Sequence, residues 1–210
     1  MPVTINGDGS ITGLSAGGLP AGSVTDATIA GMAASKLSGA LPAISGASLT
    51  GISGGIPFAQ QWVLTSGFNP SSTSATVFSS NLAVKTGNGY GTIGSGTMTE
   101  SSGVFTFPST GIYRIECYIM FREESNLDTN AECDIQTATD GSSFSRACLT
   151  VVNTKQNDYV TCHGCLQFDV TNTSTHKCRF VYTARTTTYI HANSQNDSQT
   201  YFQFTKLGDT

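Results

Sequence analysis

The chain has 210 residues, enough for one domain plus an appendage. With 10 Lys and Arg against 14 Asp and Glu, the net charge is -4; no basic surface is available for a phosphate backbone, and nucleic acid is not an expected partner. Only 11% of residues are charged, so solubility rests on hydroxyls, supplied by 25 Ser and 30 Thr.

Residues 1–57 hold 12 of the 23 glycines, no aromatic residue, no cysteine and three charges, Asp8, Asp26 and Lys36. Such a segment cannot bury enough surface to fold alone. Ile, Leu and Val nevertheless recur through it, unlike in a charged disordered tail. The stretch SITGLSAGGLP (10–20) returns as SLTGISGGIP (48–57) with one Ala deleted. Association of identical segments from several chains would bury these modest apolar groups, and Gly and Ala would permit close backbone approach.

Between the repeats, Ser23 or Thr25 can cap a short helix that places Ile29, Met32, Ala33 and Leu37 on one face, with Gly39 as a stop and Pro42 beyond. Gly31 weakens that pattern by about 1 kcal/mol relative to Ala. One short helix over residues 23–39 is therefore the expectation, with a flexible linker as the other reading. The start, MPVTINGDGS, has neither the basic nor the apolar region of a secretory signal, so folding is expected in the cytosol of the producing cell.

Residues 58–210 contain every aromatic residue and are dominated by alternation. Strands are expected near 62–65, 76–84 and 103–107. Over 112–121, Tyr113, Ile115, Cys117, Ile119 and Phe121 share one face, and Arg114, Glu116 and Tyr118 the other. That run is the most apolar in the chain, yet its ten residues are interrupted by two charges and are too short for a membrane span. Membrane insertion is not expected. Residues 132–139 and 145–152 read as a hairpin turning at Asp140-Gly141. Residues 159–170 point Val160, Cys162, Leu166, Phe168 and Val170 inward, and strands over 177–183 and 200–207 complete the series. The expected fold is all-β, an antiparallel jelly-roll sandwich over 58–210 carried on an extended glycine-rich anchor and stalk over 1–57.

Chemistry-bearing motifs are few. Cys162-His163-Gly164-Cys165, with His176 and Cys178 downstream, has the residue types of a tetrahedral zinc site. On an extended strand, however, positions 162 and 165 face opposite sides, and only a bulge at Gly164 would unite them. A redox Cys-x-x-Cys needs a following helix, and none is expected. Packing of free cysteines is the simpler reading, with a disulfide as an alternative. The acidic residues Glu123, Glu124 and Asp128 could bind calcium but fit no known loop spacing. The polar turn after His191, with Asn193 and Asn196, offers an imidazole and amides for receptor contact, against an ordinary solvated turn. The sequons at Asn172 and Asn196 carry no weight without a secretory route. No nucleophile elbow, phosphate loop or distinctive carboxylate pair is present, so no catalytic residue, metal or cofactor is expected.

GVFTFPSTGIYRIECYIMF (103–121) resembles the strand–turn–strand segment of the C1q and tumour-necrosis-factor-like jelly rolls, and TYFQFTKLGD (200–209) resembles their closing strand. This resemblance implies a homotrimeric, partner-binding, non-enzymatic head, here without the collagen repeat that precedes C1q heads. MPVTINGDGSITGL and the recurring S-[IL]-T-G-[IL] resemble the N-terminal segments of small fibre proteins of tailed bacteriophages. That likeness implies a virion protein made in the bacterial cytoplasm, docked to tail or capsid through residues 1–22 and attaching to a host-surface glycan or protein. A capsid head fibre or decoration protein is the alternative.

Overall fold

A computed structural model of the chain describes residues 4–5, 7, 11–12, 55–87, 89–125, 128–192 and 199–210. Two compact units are present, Met1–Ile52 and Ser53–Thr210. In the first, β1 (Thr4–Ile5) and β2 (Ile11–Thr12) pair antiparallel, with Thr4 opposite Thr12 and Ile5 opposite Ile11. The helix expected over 23–39 lies outside the described residues, as does most of both repeats.

The second unit is an all-β sandwich, with no helix among the described residues. Its strands are β3 (Phe58–Leu64), β4 (Thr76–Val77), β5 (Leu82–Val84), β6 (Ile93–Gly94), β7 (Thr99–Ser101), β8 (Val104–Thr106) and β9 (Gly111–Glu123). They continue as β10 (Thr129–Ala138), β11 (Ser145–Thr154), β12 (Tyr159–Val170), β13 (Lys177–Thr183), β14 (Thr188–Ile190) and β15 (Tyr201–Gly208). One sheet has the order β11-β10-β13-β8-β7, with β4 beside β13; the other has β12-β9-β15-β3-β5, with β14 beside β9 and β6 beside β3. From β8 onward the chain passes repeatedly between sheets, so most strands pair antiparallel with partners distant in sequence. That crossing pattern is a jelly roll.

Alternation decides which side of each strand is buried. Tyr113, Ile115, Cys117, Ile119 and Phe121 of β9 are fully buried, as the period-two pattern requires. Opposite them, Cys178 and Phe180 of β13 and Cys133 and Ile135 of β10 fill the same layer. The sheets are joined ring to ring. Phe180 stacks on Phe202 with centroids 4.3 Å apart, and Phe105 meets Phe204 at 5.1 Å and Trp62 at 5.3 Å. Each such pair adds about 0.5–1.5 kcal/mol beyond the area it buries.

One expected strand and one expected turn differ in the folded chain. The run expected over 76–84 is two strands in different sheets, β4 beside β13 and β5 beside β3. The chain crosses between sheets at 78–81, where Phe78 enters the core and Asn81 takes a left-handed φ of 58°. The hairpin turn spans 139–144, not Asp140-Gly141 alone; Asp140 accepts hydrogen bonds from the Ser142 and Ser143 amides at 2.9 and 2.7 Å. A short hairpin between β7 and β8 escaped the sequence reading; it turns on Ser102 and Gly103, at φ 52° and 85°.

One polar side chain is built into the core. Gln60 is buried on the inner face of β3, and its Oε1 accepts from the Trp62 indole at 3.1 Å and the Met98 amide at 2.9 Å. Its Nε2 donates to Thr97 Oγ1 at 2.8 Å and Thr92 Oγ1 at 3.1 Å, pinning the 92–98 segment to the sheet. Gln60→Leu keeps the volume but orphans two donors, so it is expected to lower unfolding stability by about 2–4 kcal/mol. Phe180→Ala should cost about 3–5 kcal/mol through the cavity it leaves. Urea unfolding of both variants measures these losses.

Candidate functional site

The chain enters the sandwich at Phe58, which pairs with Lys206, and β3 runs from there to Leu64 at the opposite end. That far end carries a pocket. Past Leu64 the chain is clipped to β14 by reciprocal hydrogen bonds between Phe68 and Ile190, at 3.1 and 2.9 Å. Phe68 then packs on Tyr182 at 5.6 Å and Phe78 at 6.3 Å, while Phe78 and Tyr182 meet at 4.7 Å. These rings floor a depression of about 300 Å³ whose remaining lining comes from Asn69, Ser71, Thr76, Val77, Ser79, Ser80 and Asn81. Every lining side chain is uncharged. Asn69 Nδ2 donates to Glu124 at 3.3 Å, and Glu124 lies 3.9 Å from Arg122.

The same end is organised by a buried carboxylate. Glu123 is fully buried at the end of β9, where its oxygens accept from Thr188 Oγ1 at 2.7 Å and the Ser125 amide at 2.9 Å. Its backbone carbonyl accepts from the Asn157 amide at 2.8 Å. Burial alone would raise its pKa, but hydrogen bonds from Thr188, Ser125 and Thr187 outweigh it and bring the carboxyl down to about 2. Three connecting segments are thereby tied to one strand end.

A second feature lies on the outer face of the β12–β9–β15 sheet. His163, Tyr118 and Tyr201 occupy one row of paired positions, which Val63 continues onto β3. Tyr118 stacks on His163 at 4.1 Å with 13° between planes, and on Tyr201 at 4.4 Å with 18°. Burial, reinforced by Tyr118, pushes the Tyr201 hydroxyl up to about 12. The charges beside this row are paired: Glu116 lies 2.9 Å from Arg114 and 3.5 Å from His163. Ile112 and Leu207 are exposed at one end of the face and Tyr159 at the other.

The structure separates the residues that sequence grouped as zinc ligands. β12 pairs with β9 without a register shift, Gly164 opposite Cys117, so no bulge joins Cys162 to Cys165. Cys162 is buried in the core and Cys165 is exposed on the outer face. Cys178 lies on β13, whereas His176 contacts Thr171 and Thr175 through its two ring nitrogens. All six cysteines are free. Cys117 and Cys133 approach to 3.8 Å from opposite sheets, and that contact, with burial, raises the Cys133 pKa far above its ordinary value; burial does the same to Cys178. Buried thiols of this kind are packing groups. A side chain at Gly164 would stand 3.0 Å from the Cys117 sulfur and 3.5 Å from that of Cys148, so glycine is needed where the sulfurs fill the space.

The acidic residues also diverge: Glu123 points inward, whereas Glu124 and Asp128 are exposed. His191 is half-buried between Tyr159 at 5.0 Å and Tyr189 at 4.7 Å. Burial, with the Arg122 charge, lowers its pKa, and its Nε2 has no hydrogen-bond partner among the described residues. Asn193 and Asn196 lie outside the described residues.

No protein-family model matches the chain, and no curated protein matches it in sequence. Solved structures similar to it include murine APRIL at pH 5.0, at 11% identity and a TM-score of 0.49 over 71% of this chain and 98% of that one. Another is Eiger TNF from S. frugiperda, at 11% identity and a TM-score of 0.48 over 73% of this chain and 95% of that one. The jelly-roll assignment stands on the strand order given above.

Glu123 provides a pH test. Its folded carboxyl titrates near 2 against an ordinary 4.5, so the stability it supplies is complete above pH 4.5 and is lost as pH falls toward 2. Glu123→Gln should be less stable than the parent at pH 6, and the gap should close between pH 4.5 and 2 in urea unfolding. A gap that stays constant across that range would contradict the assignment.

Proposed function

We propose that this chain is a homotrimeric, non-enzymatic fibre of a tailed bacteriophage, held on the virion by residues 1–22 and attaching to the host surface through its jelly-roll head. The observation that carries the trimer is the Tyr201–Tyr118–His163 row. Stacked rings with their neighbouring charges already paired lose little solvation when another copy covers them. Such a face is suited to a second copy of the chain more than to bulk water. The number three comes from the C1q and tumour-necrosis-factor-like resemblance of residues 103–121, and the virion assignment from the phage-fibre resemblance of residues 1–57. Trimerisation serves attachment directly, because three weak sites on one particle give an avidity far above single-site affinity. Synthesis in the bacterial cytoplasm agrees with this role.

Light scattering of the full-length protein should give close to three times 21.9 kDa. Tyr118→Glu should give the single-chain mass and should expose Cys165 to a thiol reagent, since that cysteine lies one row from the stack. A wild-type monomer would refute the assembly. For the role itself, excess purified protein should slow adsorption of the phage to its host, and an unchanged adsorption rate at saturating protein would remove the attachment function. Antibody to residues 58–210 should label the tail of intact virions; label spread over the capsid would mark a head fibre instead.

A further inference from the structure

We propose that the pocket between the 68–81 segment and β13 binds one neutral sugar residue of a host-surface glycan. The inference deepens the attachment reading and rests on it.

A pyranose has an apolar C–H face and a rim of hydroxyls. A site for it therefore needs ring surface beside several uncommitted donors and acceptors. Both are present. Phe68, half-buried, with Tyr182 and Phe78 packed behind it, provides the ring surface. Around it, the hydroxyls of Ser71, Ser79 and Ser80 and the side-chain amide of Asn81 have no hydrogen-bond partner among the described residues. The Thr76 hydroxyl, by contrast, is held by the Ser74 carbonyl at 2.9 Å. Asn81 stands among these groups in a left-handed backbone conformation, φ 58°, which asparagine tolerates but which is sparsely populated.

The lining also discriminates among ligand classes. An apolar ligand would cover four polar groups without pairing them, a loss that disfavours it. An anionic sugar would find no cation in the lining, and the carboxylate bonded to Asn69 is that of Glu124. A neutral polyol satisfies the hydroxyls and the amide and places no charge against that carboxylate. The volume of about 300 Å³ is at the small end of ligand sites and suits one sugar unit rather than a long chain. Its position agrees as well, at the end of the sandwich opposite Phe58, where the chain enters.

Saturation-transfer NMR on the full-length protein tests this with the methyl glycosides of glucose, galactose, mannose and N-acetylglucosamine, and with methyl glucuronide as the charged comparison. At least one neutral glycoside should receive saturation, and the glucuronide should not. Ser71→Trp, at an exposed position on the rim, should abolish the signal by filling the mouth. Asn81→Gly, which relieves the left-handed backbone while deleting the amide, should weaken binding about fivefold, one hydrogen bond's worth, without lowering the melting temperature. Silence from all four neutral glycosides, or wild-type binding in both variants, would overturn the proposal. The adsorption assay separates it from the reading it rests on: wild-type protein that fails to slow adsorption ends the attachment role. Wild-type and Ser71→Trp proteins that slow it equally end the pocket's part while leaving attachment standing.

Discussion

The register of β9 is the constraint on which the rest of the head depends. This strand of 13 residues pairs with β12 along one edge and with β15 along the other, and it receives β14 near its end. Its inward residues are the buried wall that the opposite sheet packs against. Its outward residues include Tyr118, the centre of the stacked row. Sliding β9 by one position would drive Arg114 and Glu116 into the core and expose Ile115 and Cys117. Core and proposed assembly face are thus two sides of a single pairing, and a shift of its register would disrupt both.

Polar groups do in this molecule what long loops leave undone. Gln60, within β3, and Glu123, at the end of β9, are both buried, and each gathers segments that have few strand bonds of their own. Gln60 holds the chain between β6 and β7; Glu123 holds the connections after β9, before β12 and before β14. A chain with so few charges can bury such groups because amides, hydroxyls and backbone N–H are close at hand to pair them. The pocket differs in that the side chains of Ser71, Ser79, Ser80 and Asn81 are exposed and have no hydrogen-bond partner among the described residues.

Period-two patterning is enough to read β9 and β12, because each has one face sealed in the core and one outside. The same rule puts Cys162 and Cys165 on opposite faces, as the strand does. It failed over 76–84, where alternation continues through a change of sheet. The signal for that crossing was the Ser79-Ser80-Asn81 cluster, whose residues favour turns over strands. β7 was missed for a related reason: three residues are too few to show a period, and Ser102-Gly103 was the better cue. The pocket could not be read at all, since its floor joins Phe68 and Phe78 to Tyr182, about a hundred positions along the chain. The Tyr118–His163–Tyr201 row was equally hidden, for those residues become neighbours only through the pairing of three strands.

The antiparallel pairing of Lys206 with Phe58 has a practical consequence. It brings the entry to the sandwich at Phe58 and its closing strand out on the same side, opposite the pocket. Cargo fused after Thr210, whether a dye-binding tag, an enzyme or a second head, would project away from the pocket. The fold is therefore suited to use as a display module that can be loaded from behind while its opposite surface stays open to a target.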